Sequence, residues 1–463
     1  MSKRLIANLA INVIVFCVAA ELLSLIVFHY QHGWLFYLDP YRASYELIPE
    51  TRNQQLTRAG LHPYFGPTHK PGVPFDVPEK LRNGASGNGA PAPDADRPRV
   101  ETNNFGFASP YNYPFVKRRS DQFVVGIFGG SVGLWFCQVG ADRLMKDLKE
   151  SVFFRNKELI SLCLSHAGYK QPQQLLVLAY FLSIGQRFDL VINIDGFNEV
   201  ALSSINDRHG VDISMPSFVH LDPLINLVNQ STLTPAKLHS LAQIARYKEQ
   251  LNGLAERINH ARFASVDLVL EQYYAIVSKR YRDELARFDK LPSNTSEQSI
   301  IEATPTVKAR EGTAVFEDIA SGWITSSILM NELLASRGVG YFHFLQPNQY
   351  YTTRAFSGDE VKVALSDQSP FKSGAEKGYP FLVAASESGM LKENHVNFFN
   401  AIHIFDRERA AVYMDNCCHY TLAGNVILAD FIARSVLSAK GSWNEQASRN
   451  AHEHEGNRIG SVN

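Results

Sequence analysis

The stretch QFVVGIFGGSVG, residues 122–133, decides how the rest of the chain is read. Residues 122–128 form a short apolar run rich in β-branched side chains, as expected of a strand buried on both faces. Two glycines end the run, and Ser131 falls where a helix begins. Two further runs of the same kind follow, at Leu159–Leu164 and Phe188–Ile194. Between them, helical spacing is read over Val139–Phe154, through Leu144, Leu148 and Val152, and over Gln173–Ile184. Strand, helix, strand, helix, strand predicts right-handed parallel crossovers and a doubly wound α/β sheet.

Beyond Ile194 the rhythm changes. Thr234-Pro235 has the form of a helix start, Thr as N-cap and Pro in the first turn. Apolar positions then recur at Leu241, Ile244, Leu251, Leu254 and Ile258, and again from Val266 through Tyr273, Val277 and Tyr281 to Phe288. They predict a helical insertion or hairpin within about 203–336. Pro292–Arg310 reads as loop, Thr313–Ser336 as helix and Tyr341–Leu345 as strand. Thr352–Ser373 reads as polar loop, Phe398–Phe405 as a last strand and Thr421–Ala439 as the closing helix. Residues 31–100 are rich in Pro and Gly and read as an extended linker, and residues 441–463 as a disordered polar tail.

At the other end, Lys3-Arg4 precedes an apolar run, Leu5–Phe28, whose strongly polar members are Asn8, Asn12, Glu21 and Ser24. Its length as a helix, about 36 Å, exceeds the roughly 30 Å hydrocarbon layer. The basic pair predicts a cytoplasmic N-terminus and a single-pass anchor over residues 1–30 in the inner membrane. The body then lies in the periplasm or another extracytoplasmic space. Trp34, Phe36, Tyr37 and Tyr41 follow like an interfacial belt. The rival reading is a signal peptide cleaved after Val18-Ala19-Ala20, but apolar residues continue well past that site. Glu21 needs a partner at that depth.

The whole chain is near neutral, with 45 Lys+Arg against 46 Asp+Glu, so nothing in it would release many counterions from nucleic acid. Five cysteines in 463 residues are too few for a disulfide scaffold, and buried or idle thiols are expected. No Gly-Lys-[Ser/Thr] follows the first strand, which disfavours a phosphate loop.

Three strand ends carry polar or small residues on one edge of the expected sheet. Ser131 follows the first strand, Ser165-His166-Ala167-Gly168 the second and Asp195-Gly196-Phe197-Asn198-Glu199 the third. The carboxyl edge is where open α/β sheets bind ligands. A serine at a helix N-terminus there is exposed beside backbone N–H groups able to stabilise an oxyanion. Asp415-Asn416-Cys417-Cys418-His419, just before the last helix, supplies a base of near-neutral pKa with a carboxylate beside it.

In this order the four elements resemble the sequence blocks of the SGNH/GDSL hydrolases, in the membrane-anchored bacterial type. Ser131 matches the nucleophile block and Gly168 the glycine block. Gly196-Phe197-Asn198-Glu199 matches the Gly-x-Asn-[Asp/Glu] block, and Asp415 to His419 the acid–base block. Thr102-Asn103-Asn104-Phe105-Gly106-Phe107 is similar to the lead-in of anchored members. The resemblance covers residues 101–440 apart from the insertion. It implies a flavodoxin-like α/β/α sandwich and acyl-ester chemistry, with Ser131 as nucleophile, His419 as base and Asp415 as its orienter. It implies an oxyanion hole from Ser131, Gly168 and Asn198, and calls for no cofactor and no metal. The nucleophile block reads Gly-Gly-Ser-Val, and Asn416 occupies the usual acid position, so a local bulge must bring Asp415 to the imidazole. An acyl ester is the expected substrate, with acetylated envelope or secreted glycans as the class. The alternatives are O-acyl transfer to a polysaccharide, from a donor handed over by a membrane partner protein, or an envelope assembly protein that keeps the fold without the activity.

Other residues are expected outside the chemistry. His166 reads as a surface-loop residue, with pocket lining as the alternative, and Glu199 as a loop anchor. Gln346-Pro347-Asn348 reads as a strand end able to offer an amide. Cys417 and Cys418 carry two alternatives to idleness, a metal site or a disulfide near the base, the latter with Cys137. His452 and His454 lack the spacing of a metal site.

Overall fold

A computed structural model describes residues 3–32, 35–37, 59–78, 81, 100–221, 234–291 and 307–439. The expected tail, most of the Pro292–Arg310 loop and the Gly-rich core of the 31–100 segment lie outside these residues. The chain divides into two units, Met1–Thr57 with Asn226–Ile301 and Arg58–Ile225 with Glu302–Asn463.

In chain order the elements are α1 (Lys3–His32), β1 (Ala59–His62), β2 (Gly66–His69), β3 (Pro74–Phe75), β4 (Val100–Glu101), β5 (Gln122–Gly129), α2 (Ser131–Val139), α3 (Ala141–Leu148), α4 (Val152–Arg155), β6 (Glu158–Cys163), α5 (Gln173–Ser183), β7 (Leu190–Asp195) and α6 (Phe197–Arg208). They continue as α7 (Pro235–Asn259), α8 (Ala264–Lys290), α9 (Ala314–Ala335), β8 (Gly340–Leu345), α10 (Gly358–Ala364), α11 (Lys372–Glu387), α12 (Met390–Glu393), β9 (Asn397–Asn400) and α13 (Leu422–Ser438).

In the larger unit, five parallel strands form one sheet in the order β6-β5-β7-β8-β9. β7 is buried along its whole length and β5 from its second residue on, which is why these strands read as unbroken apolar runs. The chain moves outward from β5 to β6, then back past it to β7, β8 and β9. Right-handed crossovers therefore put α2 and α3 on one face and α5, α6, α9 and α11 on the other. The helix contacts agree, since α13 packs on α3 and α2, and α9 packs on α5, α6 and α11. The strand order reverses at β5, so the crevice outside the carboxyl ends of β5, β6 and β7 is the topological switch point.

Several expected elements differ in detail. The helix read over 139–154 begins at Ser131 and breaks at Gly140 into α2 and α3, with α4 capped by Ser151 Oγ. The loop read over 352–373 contains α10 and the start of α11. Ser357 caps α10 and Glu360 stands three residues on, a start signal that the polar composition hid. In α11, Gly374 and Gly378 lie against Ala201 and Val200 of α6, a close helix contact that needs small residues but weakens the helical pattern. The last strand ends at Asn400, where the side-chain Oδ1 accepts the Ile402 N–H and turns the chain. Within the 31–100 segment, β1 and β2 form a hairpin whose turn carries the buried Phe65, so part of that segment is packed structure.

In the smaller unit, α7 and α8 form the expected antiparallel hairpin, closed by Leu251, Leu254 and Val277. Within α1, Ile11–Gln31 is long and apolar enough to cross a membrane. Glu21 finds its partners inside this unit. Its carboxylate accepts the N–H groups of Ala264 (2.7 Å) and Ser265 (3.1 Å) and the hydroxyls of Ser265 (2.6 Å) and Tyr37 (2.8 Å). It thus supplies to α8 the acidic N-terminal cap that Phe263 cannot.

Candidate active site

Ser131 opens α2 directly beyond the carboxyl end of β5, so its hydroxyl stands at the switch point and its N–H is among those without an intrahelical partner. Ser131 Oγ lies 2.7 Å from His419 Nε2, and His419 Nδ1 lies 2.5 Å from Asp415 Oδ2. The three side chains named from sequence therefore form a continuous hydrogen-bonded relay.

The unusual spacing is accommodated by the loop itself. Tyr413 and Tyr420 pair as an antiparallel bridge, and the Met414 N–H donates to the His419 carbonyl, so residues 415–418 form a tight excursion. Asp415 Oδ1 fills its centre, accepting the N–H groups of Cys417 (3.0 Å), Cys418 (3.2 Å) and His419 (3.3 Å). Oδ2 is left for the imidazole. Burial pushes the Asp415 carboxyl up, but the hydrogen bond and charge of His419, with the N–H groups of Cys417 and His419, outweigh it. They hold the group below the usual carboxylate range. The relay thus ends in a carboxylate held as the anion behind the imidazole.

The opposite wall comes from the other two strand ends. Gly168 has φ +78°, and a Cβ there would lie 2.5 Å from His220 Nδ1, so the turn after β6 admits no side chain. The Asn198 amide donates to the Tyr169 carbonyl at 2.8 Å, leaving a second amide hydrogen. It lies over Gly130, where a Cβ would come within 2.1 Å of Nδ2. Gly168, Asn198 and the Ser131 turn are therefore brought together along one edge.

Beneath this edge the groups are buried and anchored. Glu199 accepts the N–H groups of Gly196 (2.7 Å) and Gln171 (2.9 Å), so it ties the β7 turn to the Gly168 loop, as expected of a loop anchor. Burial, reinforced by Asp195, pushes it up to about 8. Asp195 in turn receives Trp323 Nε1 at 2.7 Å and Asn193 Nδ2 at 2.8 Å, and lies 2.7 Å from His343 Nε2. His166 pairs with His69 of β2 at 3.0 Å and is buried, so it is a structural contact of the hairpin and not a surface loop residue.

The base loop is braced from below. Asn348 Nδ2 donates to the Cys417 carbonyl at 3.3 Å, Gln349 Nε2 to the Asp415 carbonyl at 3.0 Å, and Tyr420 Oη to the Pro347 carbonyl at 2.6 Å. The strand end at 346–348 therefore spends an amide on the loop. A fully buried ion pair, Arg354–Glu360 at 2.7 Å, supports the same segment. Glu360 Oε1 accepts the N–H groups of Val412 and Tyr413, and Arg354 donates to the Glu408 and Ala410 carbonyls. Sequence reading missed this pair, whose members sit in what reads as polar loop.

The cysteines differ from the expectation of idle thiols. Cys137 of α2 is disulfide-bonded to Cys163 at the end of β6, joining the helix of Ser131 to the strand that leads to Gly168. No sequence signal specifies such a pair, because it depends on α2 packing over β6. Cys418 Sγ lies 4.0 Å from Ser131 Oγ and 3.4 Å from Cys417 Sγ. Burial and the neighbouring Cys417 push the Cys418 thiol well above its ordinary value, so it is no thiolate nucleophile. No protein-family model matches this chain, and no curated protein matches it.

Proposed function

We propose that this protein is a membrane-anchored serine ester hydrolase of SGNH/GDSL type. The observation that carries the reading is the Ser131–His419–Asp415 relay at the sheet's switch point. The sheet order β6-β5-β7-β8-β9, which is the flavodoxin-like 2-1-3-4-5, supports the fold assignment.

In this mechanism His419 Nε2 accepts the Ser131 hydroxyl proton as Oγ attacks the acyl carbonyl. Asp415 keeps the Nδ1 proton in place and stabilises the imidazolium that forms. The oxyanion is received by the Ser131 and Gly168 N–H groups and the free Asn198 amide hydrogen. His419 then returns its proton to the leaving alcohol. A water activated by the same nitrogen releases the acid from the acyl-enzyme.

The disulfide between Cys137 and Cys163 supports an oxidising compartment for this unit. Together with the apolar α1 it favours a single-pass anchor in the cytoplasmic membrane with the site outside the cytoplasm. Acyl esters on envelope or secreted glycans, acetyl above all, are the substrate class that fits such a placement. Of the two features that favour an inactive assembly protein, the atypical spacing loses weight because the carboxylate still reaches the ring, whereas the helical insertion keeps its weight.

The test is covalent labelling of the detergent-solubilised full chain by a fluorophosphonate, with wild type and Ser131→Ala compared. Labelling of wild type alone is expected, and absence of labelling in folded wild type overturns the reading. Product analysis with an acetylated glycan and a second glycan as acceptor then separates release of free acid from acyl transfer.

A further inference from the structure

The thiols of Cys417 and Cys418 are a pair of soft donors that the relay does not use. They are free, lie 3.4 Å apart, and sit on the loop that Asp415 organises by taking the N–H groups of both residues. Their sulfurs and a ring nitrogen of His419 all fall within 4.8 Å of one another. Cys417 is partly exposed, whereas Cys418 is buried against Ser131. The loop thus presents an open side to solvent and a closed side to the nucleophile.

Coordination geometry narrows what such a set would take. Tetrahedral zinc with Zn–S bonds of about 2.3 Å separates two sulfurs by about 3.8 Å, and a sulfur from a nitrogen by about 3.6 Å. The observed sulfur spacing needs to open by only a few tenths of an ångström. A linear two-sulfur ion at the same bond length needs about 4.6 Å, a far larger opening from the 3.4 Å observed than tetrahedral zinc requires. Two thiolates and an imidazole are also the ligand types that thiophilic d¹⁰ cations select over carboxylate-seeking ones.

We propose that Cys417, Cys418 and His419 form an inhibitory site for a thiophilic divalent cation of the zinc type. Nδ1 of His419 is held by Asp415, so Nε2 is the nitrogen that turns to the metal, and Ser131 loses its proton acceptor. Binding displaces one proton from each thiol to solvent, two in all, and leaves the fourth coordination position for water. No electron is transferred, and chelation of the ion restores the relay. The inhibitory consequence rests on the serine hydrolase reading, whereas the binding itself does not.

The experiment uses the full chain in detergent, stripped with a chelator and handled under argon without a reductant, so that the Cys137–Cys163 disulfide stays closed. Equilibrium dialysis against zinc chloride should find one tight ion per chain. Cys417→Ser and Cys418→Ser should each weaken it by at least the roughly 10- to 100-fold that loss of even an outer-shell partner costs. Cobalt(II) in place of zinc should give a thiolate charge-transfer band that both variants lose. Cys17 stays in every protein compared, so the differences isolate the loop. Ser131→Ala should bind zinc at least as well as wild type. No stoichiometric binding, or equal affinity in both cysteine variants, overturns the site. Fluorophosphonate labelling of wild type should slow as zinc fills the site, with the same half-saturation as dialysis, and recover with chelator. Labelling that proceeds unchanged at full occupancy overturns the inhibitory role. Thiol-dependent zinc binding with no labelling of metal-free protein would instead sink the hydrolase reading and leave the metal site standing.

Discussion

Asp415 reaches His419 across a four-residue step by dividing its two oxygens, one for three backbone N–H groups and one for the ring at 2.5 Å. The carboxylate is therefore both the hub of the loop and the partner of the imidazole. Asp415→Asn keeps an oxygen for the backbone but puts an amide against the ring and removes the charge. It should lower kcat/KM on the order of 10³- to 10⁴-fold, as loss of the acid does in serine triads. Steady-state hydrolysis of an acetyl ester checks this, and a loss below tenfold would place the acid elsewhere.

The Asn198 amide and Gly130 touch, so they should fail together. Asn198→Ala removes a side-chain oxyanion donor and should cost on the order of 10²–10³ in kcat with little change in KM. Gly130→Ala would place a methyl 2.1 Å from Nδ2 and 3.0 Å from the Tyr169 carbonyl, driving the amide aside. A similar kcat loss is expected. If both variants raise KM and leave kcat alone, Asn198 binds substrate and does not stabilise the transition state.

Glu199 makes stability depend on pH in an uncommon direction. Its carboxyl is pushed up from 4.5 to about 8 by burial first and by Asp195 second. Between those values the folded protein holds a proton that the unfolded chain has released. By linkage, this group's contribution falls as pH rises through the window and is fully present only below the lower value. Thermal unfolding of wild type should thus show a Tm component that drops from about pH 5 to pH 8. Glu199→Gln, which cannot ionise, should flatten that slope. The same change leaves one of the Gly196 and Gln171 N–H groups without its acceptor, at about 1–3 kcal/mol. A variant with the wild-type slope would show that another group titrates.

Glu360 joins stability to catalysis. It is buried against Arg354 and holds the N–H groups of Val412 and Tyr413, two to three residues before Asp415. Glu360→Ala leaves the Arg354 charge buried and uncompensated, which should cost about 3–5 kcal/mol. Denaturant unfolding measures that loss. In the fraction that folds, kcat should fall because the base loop loses its brace, whereas substitution of exposed Glu376 should change neither quantity.

The parallel sheet was largely legible in the sequence, because strands buried on both faces announce themselves as apolar runs, and Ser131 falls just past the end of one of them. Ser131, Gly168 and Asn198 could be placed on one edge from strand order alone. What brings Asp415 to His419 is a turn built from backbone N–H groups, which residue spacing does not reveal. The Cys137–Cys163 link depends on how α2 crosses β6, and α11 was hidden by the glycines that let it approach α6. Helices start visibly where a cap is present, as at Thr234. They vanish from view where a neighbour demands small residues.

Ser131 and His419 are 288 residues apart along the chain. On the serine hydrolase reading, a growing polypeptide therefore carries its nucleophile through most of its synthesis without its proton acceptor. Closing so large a loop is entropically costly, though the cost grows only slowly with length. In the folded unit α13, which begins three residues after His419, packs on α2 and α3. On the same serine hydrolase reading, any fragment that ends before residue 419 lacks the proton acceptor of Ser131. Covalent labelling of Ser131, where that reading holds, is in this sense a report that the whole sheet-bearing unit has been completed.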